Sequence, residues 1–144
     1  MSLNSEITMP TITRMQGRVI RAGRAAGKAL VSPVPIGFLG GVDPDSGVVV
    51  EPNHPLNGQC VAGRVLVFPT GKGSTVGSYT ILRLARNGVA PAAMINAESE
   101  AIVAVGAIIA GIPMVDQVAT ALIQDGDWVV VDGDTVEIHQ EVAA

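Results

Sequence analysis

Cysteine occurs once in this chain, at Cys60. One thiol excludes an intrachain disulfide and a CxxC pair, and it falls short of the several thiolates an iron–sulfur cluster takes. Any such cofactor must be held by a partner, and Cys60 itself reads as a small buried hydrophobe. Aromatic residues are almost missing too: two Phe, one Tyr and one Trp. With a formal net charge of -4 and no Lys/Arg cluster, the chain has neither the basic surface nor the stacking platform of a nucleic-acid binder. Long apolar runs are absent. "VAVGAIIAGIPMV" is too short and too glycine-rich to span a bilayer, and the opening "MSLNSEITMPTITRM" has no apolar signal-peptide core. These features predict a cytoplasmic protein without a membrane segment, with residues 1–16 as a flexible lead and one domain over 17–144. Lysine is the last scarcity. Only Lys28 and Lys72 occur, against seven arginines.

What is present is glycine, proline and aliphatic residues. Seventeen glycines and nine prolines in 144 residues imply many tight turns, and the length suits one domain with a sizeable core. "GRVIRAGRAAGKALVS" predicts two strands joined by a glycine turn. "PIGFLGGVDPDSGVVVEPNHPLNGQ" predicts a short strand, a turn, a strand over Val48–Val50 and an irregular loop. "GRVLVFP" is a buried-strand run. A helix is expected from Ser74 to Asn87, stopped by Gly88. "PAAMIN" and "IPMVD" read as strands around a second helix in "ESEAIVAVGAIIAG", with Glu98 and Glu100 serving its N-terminal end. "DWVVVDGDTVEIHQ" predicts a terminal hairpin with a type I′ turn at Asp132-Gly133, His139 lying on its surface. The fold class is therefore mixed α/β, strand-rich at both ends with two central helices.

The chemistry concentrates in "VLVFPTGKGSTVGSY". If Ser74 caps the helix, the next backbone N–H groups point at whatever occupies the loop, an anion site helped by the helix dipole. Gly71 and Gly73 let the backbone approach a ligand, Lys72 adds charge, and Thr75 and Ser78 could donate to a carboxylate or phosphate. The spacing is not that of a Walker A loop. An ordinary helix cap beside a solvated lysine accounts for the same residues. Asp43 in "GGVDPDSG" is good turn chemistry or a site acid; His54 in "EPNHPLNG" sits on a loop between prolines.

"GRVLVFPTGKGSTVGSY" followed by "APAAMINAESEAIVAVGAIIAGIPMVD", with "GFLGGVDPDSGVVVEPNHPLNGQ" before it, resembles the small swivel subunit of aconitase X-type dehydratases over about Gly17 to Val136. The resemblance implies a swivelling β/β/α domain with a barrel-like core. It also implies a large partner subunit carrying an iron–sulfur cluster, and a heteromeric hydro-lyase acting on a small hydroxy acid. In the wider aconitase superfamily a Gly-Ser-Ser-Arg turn supplies the catalytic serine base and the groups that hold the substrate carboxylate. Gly73-Ser74 matches its start, which implies Ser74 as base. Thr75 and Val76 depart from it, and Lys72 is placed to supply the missing charge. The resemblance also puts His54 near the cleft. Two substrates fit the family type. The scarcity of lysine favours the bacterial one, cis-3-hydroxy-L-proline, converted to pyrroline-2-carboxylate; mevalonate 5-phosphate is the alternative. A phosphohistidine carrier using His54, or a non-catalytic anion-binding or assembly module, are readings of other classes.

Overall fold

The computed structural model describes residues 8–143. Its strands are β1 (Thr8–Gln16), β2 (Arg18–Arg21), β3 (Arg24–Val31), β4 (Val65–Phe68), β5 (Ala93–Asn96), β6 (Met114–Asp116), β7 (Trp128–Asp132) and β8 (Thr135–Ala143). Helix α1 (Gly77–Arg86) follows β4, and α2 (Ala101–Ala110) follows β5. All eight strands join one sheet in the order β1-β8-β7-β3-β4-β5-β6-β2. Strands β3 to β6 pair parallel, whereas the flanking pairs are antiparallel.

Every residue of β4 and β5 is buried, as expected of parallel strands covered on both faces. Alternate side chains enter two different cores. Leu66, Phe68 and Met94 join Ile81, Leu84, Val103 and Ala107 beneath the helices. Val65, Val67, Ala93 and Ile95 face the other way, against Val129, Val131, Val136 and Ile138 of the terminal hairpin. The sheet thus curls over its second core into a half-barrel, and both helices lie on the opposite face. The mixed, barrel-like fold predicted with two central helices is the one observed.

The helices pack directly on each other. A Cβ at Gly106 would stand inside Ile81 Cδ1 and 3.2 Å from Ser78 Cα, so this glycine permits the close approach. Ser78 Oγ donates to Ile102 O at 2.6 Å across the same contact.

Several sequence expectations are corrected. Part of the lead expected over 1–16 is strand: β1 pairs with β8 from Thr8–Ala143 to Gln16–Thr135, and residues 1–7 lie outside the described residues. No position of β1 from Pro10 to Gln16 is fully buried, and only Met15 among them is an apolar side chain packed on the second core, so the segment's apolar alternation is too weak to read. β2 and β3 form as expected but do not pair with each other; β2 crosses to the far edge beside β6. Val48–Val50 makes isolated bridges instead of a strand. The hairpin loop is Gly133-Asp134, between the pair Asp132–Thr135. Positive φ falls on Gly133 alone, the glycine-first pattern of a type II′ turn in place of type I′. Cys60 is exposed, its Sγ donating to Ser46 O at 3.4 Å, because the loop carrying it lies on the surface.

Candidate functional site

The loop Pro69–Val76 joins the C-terminal end of β4 to α1, where open α/β sheets place their ligands. Its first half is stitched to the loop after β3: Ile36 N donates to Thr70 O at 3.3 Å and Lys72 N to Ile36 O at 2.8 Å. Its second half lies against the start of α2. A Cβ at Gly73 would come within 2.7 Å of Glu100 Oε1, and one at Gly71 within 3.3 Å of Glu100 Oε2. Glu100 is fixed there as the N-cap of α2, accepting from Ile102 N at 2.8 Å and Val103 N at 3.2 Å, the role its sequence position predicted.

Ser74 is not the cap of α1. The helix begins three residues later, with Val76 at the N-cap and no side-chain bond there. Ser74 instead accepts at its carbonyl from Gly77 N at 2.7 Å, closing a tight turn. Its half-buried side chain makes no hydrogen bond among the described residues. The backbone N–H groups of Gly73, Ser74, Thr75 and Val76 likewise have no acceptor among the described residues. An unpaired run of donors leading into a helix N-terminus is an anion-binding arrangement, and the Ser74 hydroxyl stands within that run. Thr75 is exposed on the same turn. Ser78, expected as a further donor to ligand, is buried with its hydroxyl committed to Ile102 O.

Lys72 is not a free charge. Its Nζ donates to Glu51 Oε1 at 3.0 Å and Oε2 at 3.1 Å. A cleft of about 410 Å³ is lined by Leu39, Asp43, Val50, Thr80 and Arg83, and neither Lys72, Glu51 nor Ser74 is part of its wall. Asp43 belongs to its wall, yet both carboxylate oxygens are engaged, one by Asp45 N at 3.0 Å and one by Ser46 Oγ at 2.9 Å. The Asp45 N–H, then the Ser46 hydroxyl, hold its pKa below the usual carboxylate value. It is an Asx turn.

His54 is buried, with Nδ1 accepting from Leu56 N at 3.0 Å and Nε2 3.2 Å from Pro35 O. With Nδ1 accepting, Nε2 is the nitrogen that faces the Pro35 carbonyl as donor, and both nitrogens of the ring are used. It braces the chain next to Ile36, which pairs with Gly71, and it leaves no ring nitrogen for a phosphohistidine carrier. His139 is half-buried and 2.7 Å from Glu137 Oε1, on β8, which β7 and β3 separate from β4 in the sheet. Sequence reasoning missed Glu51, which lies 21 residues from Lys72 and meets it only through loop packing.

The iron–sulfur group implied by the resemblance does not fit this chain. Its one cysteine is exposed, and no cluster of three His, Cys, Asp or Glu side chains capable of holding a metal occurs among the described residues. No helix among them is long and apolar enough to cross a membrane.

A half-barrel sheet with two helices on one face, carrying an open glycine–serine turn after its fourth strand, defines a swivel-type domain. The chain belongs to the aconitase X swivel domain family, whose model matches residues 14–139. It is 60% identical over 123 residues to the phosphomevalonate dehydratase small subunit of Methanocella arvoryzae, covering 83% of this chain and 93% of that one. It is 52% identical over 128 residues to the protein of the same name from Thermococcus sibiricus, covering 89% and 98%. A crystal structure of Thermococcus kodakaraensis aconitase X in its holo form superposes with a TM-score of 0.86 at 50% identity, covering 88% of this chain and 98% of that one. These relatives overturn the expectation of cis-3-hydroxy-L-proline as substrate. That expectation rested on scarce lysine, a property that follows thermal adaptation and carries no information about what a site binds.

Proposed function

We propose that this chain is the small subunit of a phosphomevalonate dehydratase, a hydro-lyase that removes water from mevalonate 5-phosphate together with a large subunit. The names of the full-length relatives support the substrate. The chemistry rests on one observation: among the described residues the Ser74 hydroxyl has no partner, in a turn whose N–H groups have none either.

Mevalonate 5-phosphate is a 3-hydroxy acid, so its dehydration takes a proton from the carbon next to the carboxylate and expels the 3-hydroxyl. Ser74 takes that proton. A serine is a poor base unless its alkoxide is stabilised, and the unpaired N–H groups of residues 73–76 supply preorganised donors for that charge or for the substrate carboxylate. Gly71 and Gly73 let the loop pack closely on Val103 and Glu100 at the start of α2 and so set the course of the turn toward the ligand, Thr75 adds a hydroxyl, and Lys72 attracts the anionic substrate. Asp43 contributes to the cleft wall and His54 to the shape of the loop. The family resemblance assigns the iron–sulfur cluster, and with it the departing hydroxyl, to the large subunit. A lone cysteine without a disulfide partner supports a cytoplasmic setting.

The test is to purify the chain in complex with its large subunit and follow water loss from mevalonate 5-phosphate, with cis-3-hydroxy-L-proline as control substrate. Turnover of the phosphorylated acid alone is expected. An intact complex that leaves mevalonate 5-phosphate unchanged, or a large subunit that turns it over unaided, would overturn the assignment.

A further inference from the structure

Lys72 and Glu51 form a pair whose purpose is not stability. Both ends are substantially exposed, Lys72 at 52% and Glu51 at 29% of the side chain, and ion pairs in such positions contribute little to folding. The surroundings are nonetheless built to hold it. The Glu51 backbone is fixed on three sides: its N–H donates to Gly41 O at 3.3 Å, while its carbonyl accepts from His54 N at 3.3 Å and Asn57 Nδ2 at 2.9 Å. The pair lies over the glycine-rich loop after β3. A Cβ at Gly37 would stand 3.4 Å from Lys72 Cβ and 3.8 Å from Cε, and one at Gly41 would stand 3.6 Å from Glu51 Oε1. A fixed Glu51 backbone, a carboxylate that takes the ammonium on both oxygens and a bare floor together confine a lysine side chain that would otherwise sample many rotamers.

We infer that Glu51 is a positioning residue for Lys72, holding its ammonium over the Gly37–Gly41 floor ready for the substrate anion. The inference rests on Lys72 contacting substrate, as proposed above. Each carboxylate oxygen of Glu51 takes one ammonium N–H, and the ammonium has three. One donor therefore stays available while the direction of the charge is set. The ordering of the long side chain is then complete before the substrate arrives, which favours binding. Glu51 touches no reacting atom, so its loss weakens ground state and transition state equally: KM rises and kcat holds.

The experiment compares wild type, Glu51→Gln, Lys72→Met and the double variant, each as the complex with the large subunit, assayed with mevalonate 5-phosphate. Glu51→Gln keeps the side chain's shape, and thermal melts of each complex confirm folding. Glu51→Gln is expected to raise KM about 3–10-fold, the scale of immobilising one long side chain, with kcat changed less than about twofold. In the Lys72→Met background it should add nothing, because the residue it positions is gone. An equal KM effect in both backgrounds, a lower KM, or a fall in kcat at constant KM would overturn the inference. If Lys72→Met lowers kcat/KM while Glu51→Gln is silent, the positioning role fails alone. If Lys72→Met is itself silent, the assignment of Lys72 to the substrate fails, and the role of Glu51 with it.

Discussion

Ser74 owes its chemical freedom to the displacement of the helix start. Had it capped α1, its hydroxyl would be spent on a backbone N–H and its removal would cost about 1 kcal/mol of stability. Here Val76 occupies the N-cap, and the Ser74 side chain bonds to nothing among the described residues. Ser74→Ala should therefore lower kcat by ~10²–10⁴-fold, the usual contribution of a general base. The melting temperature and the assembly with the large subunit should stay essentially unchanged. The paired measurement separates the two roles: a retained kcat with a lowered melting temperature would mean that the serine is structural. Ser78 makes the opposite case. The sequence offered it as a donor to a ligand, but burial between the helices turned its hydroxyl to Ile102 O, a tertiary contact that no local pattern reveals.

The elements around the loop are braced from the far side of the sheet. Asp116, fully buried at the end of β6, accepts from Arg18 Nε at 3.0 Å and Nη2 at 2.8 Å, and from Ser99 N at 3.0 Å. Those bonds tie the segment leading into α2, and thus Glu100 against Gly73, to strand β2. Burial pushes the Asp116 carboxyl up, but the Arg18 guanidinium and the Ser99 donors outweigh it, and its pKa lies below the ordinary value. A depressed carboxyl adds stability that is present above the unfolded pKa, about 3.9, and is lost as pH falls through the folded value. Arg18→Met removes this partner and leaves the buried Asp116 carboxylate with the Ser99 N–H alone, so the variant should be less stable at neutral pH. The deficit should shrink below about pH 4, where protonation removes the stranded charge. Urea melts of both proteins at pH 7 and pH 3.5 measure it, and a deficit independent of pH would show that Asp116 is not the group Arg18 serves. This brace also marks what the sequence made legible. The strands at Val65–Phe68 and Ala93–Asn96, both helices and the terminal hairpin were readable because burial gives them local apolar patterns and glycine stops them. Strand β1 was not, because an exposed edge needs no apolar face. The Lys72–Glu51 and Arg18–Asp116 pairs were not, because residues 21 and 98 positions apart meet only through the topology of the sheet.

At the scale of the whole molecule the described residues present an open turn and no group of side chains able to hold an iron–sulfur cluster. Cys60, the only cysteine, sits on the surface with its thiol turned to a backbone carbonyl. His54 has both ring nitrogens occupied, and both carboxylate oxygens of Asp43 and of Asp116 already accept hydrogen bonds. Ligands for a cluster would have to be deprotonated thiolates or free imidazole and carboxylate groups gathered within reach of one another, and the described residues gather none. The purified chain should therefore be colourless, carry far less than one iron per molecule by metal analysis, and leave mevalonate 5-phosphate unchanged. Adding the large subunit should produce dehydration that depends on Ser74. Stoichiometric iron in this chain alone, or turnover without the partner, would mean that the loop after β4 is a complete active site. The unpaired donors of residues 73–76 would then act on substrate without a second protein surface to close over them.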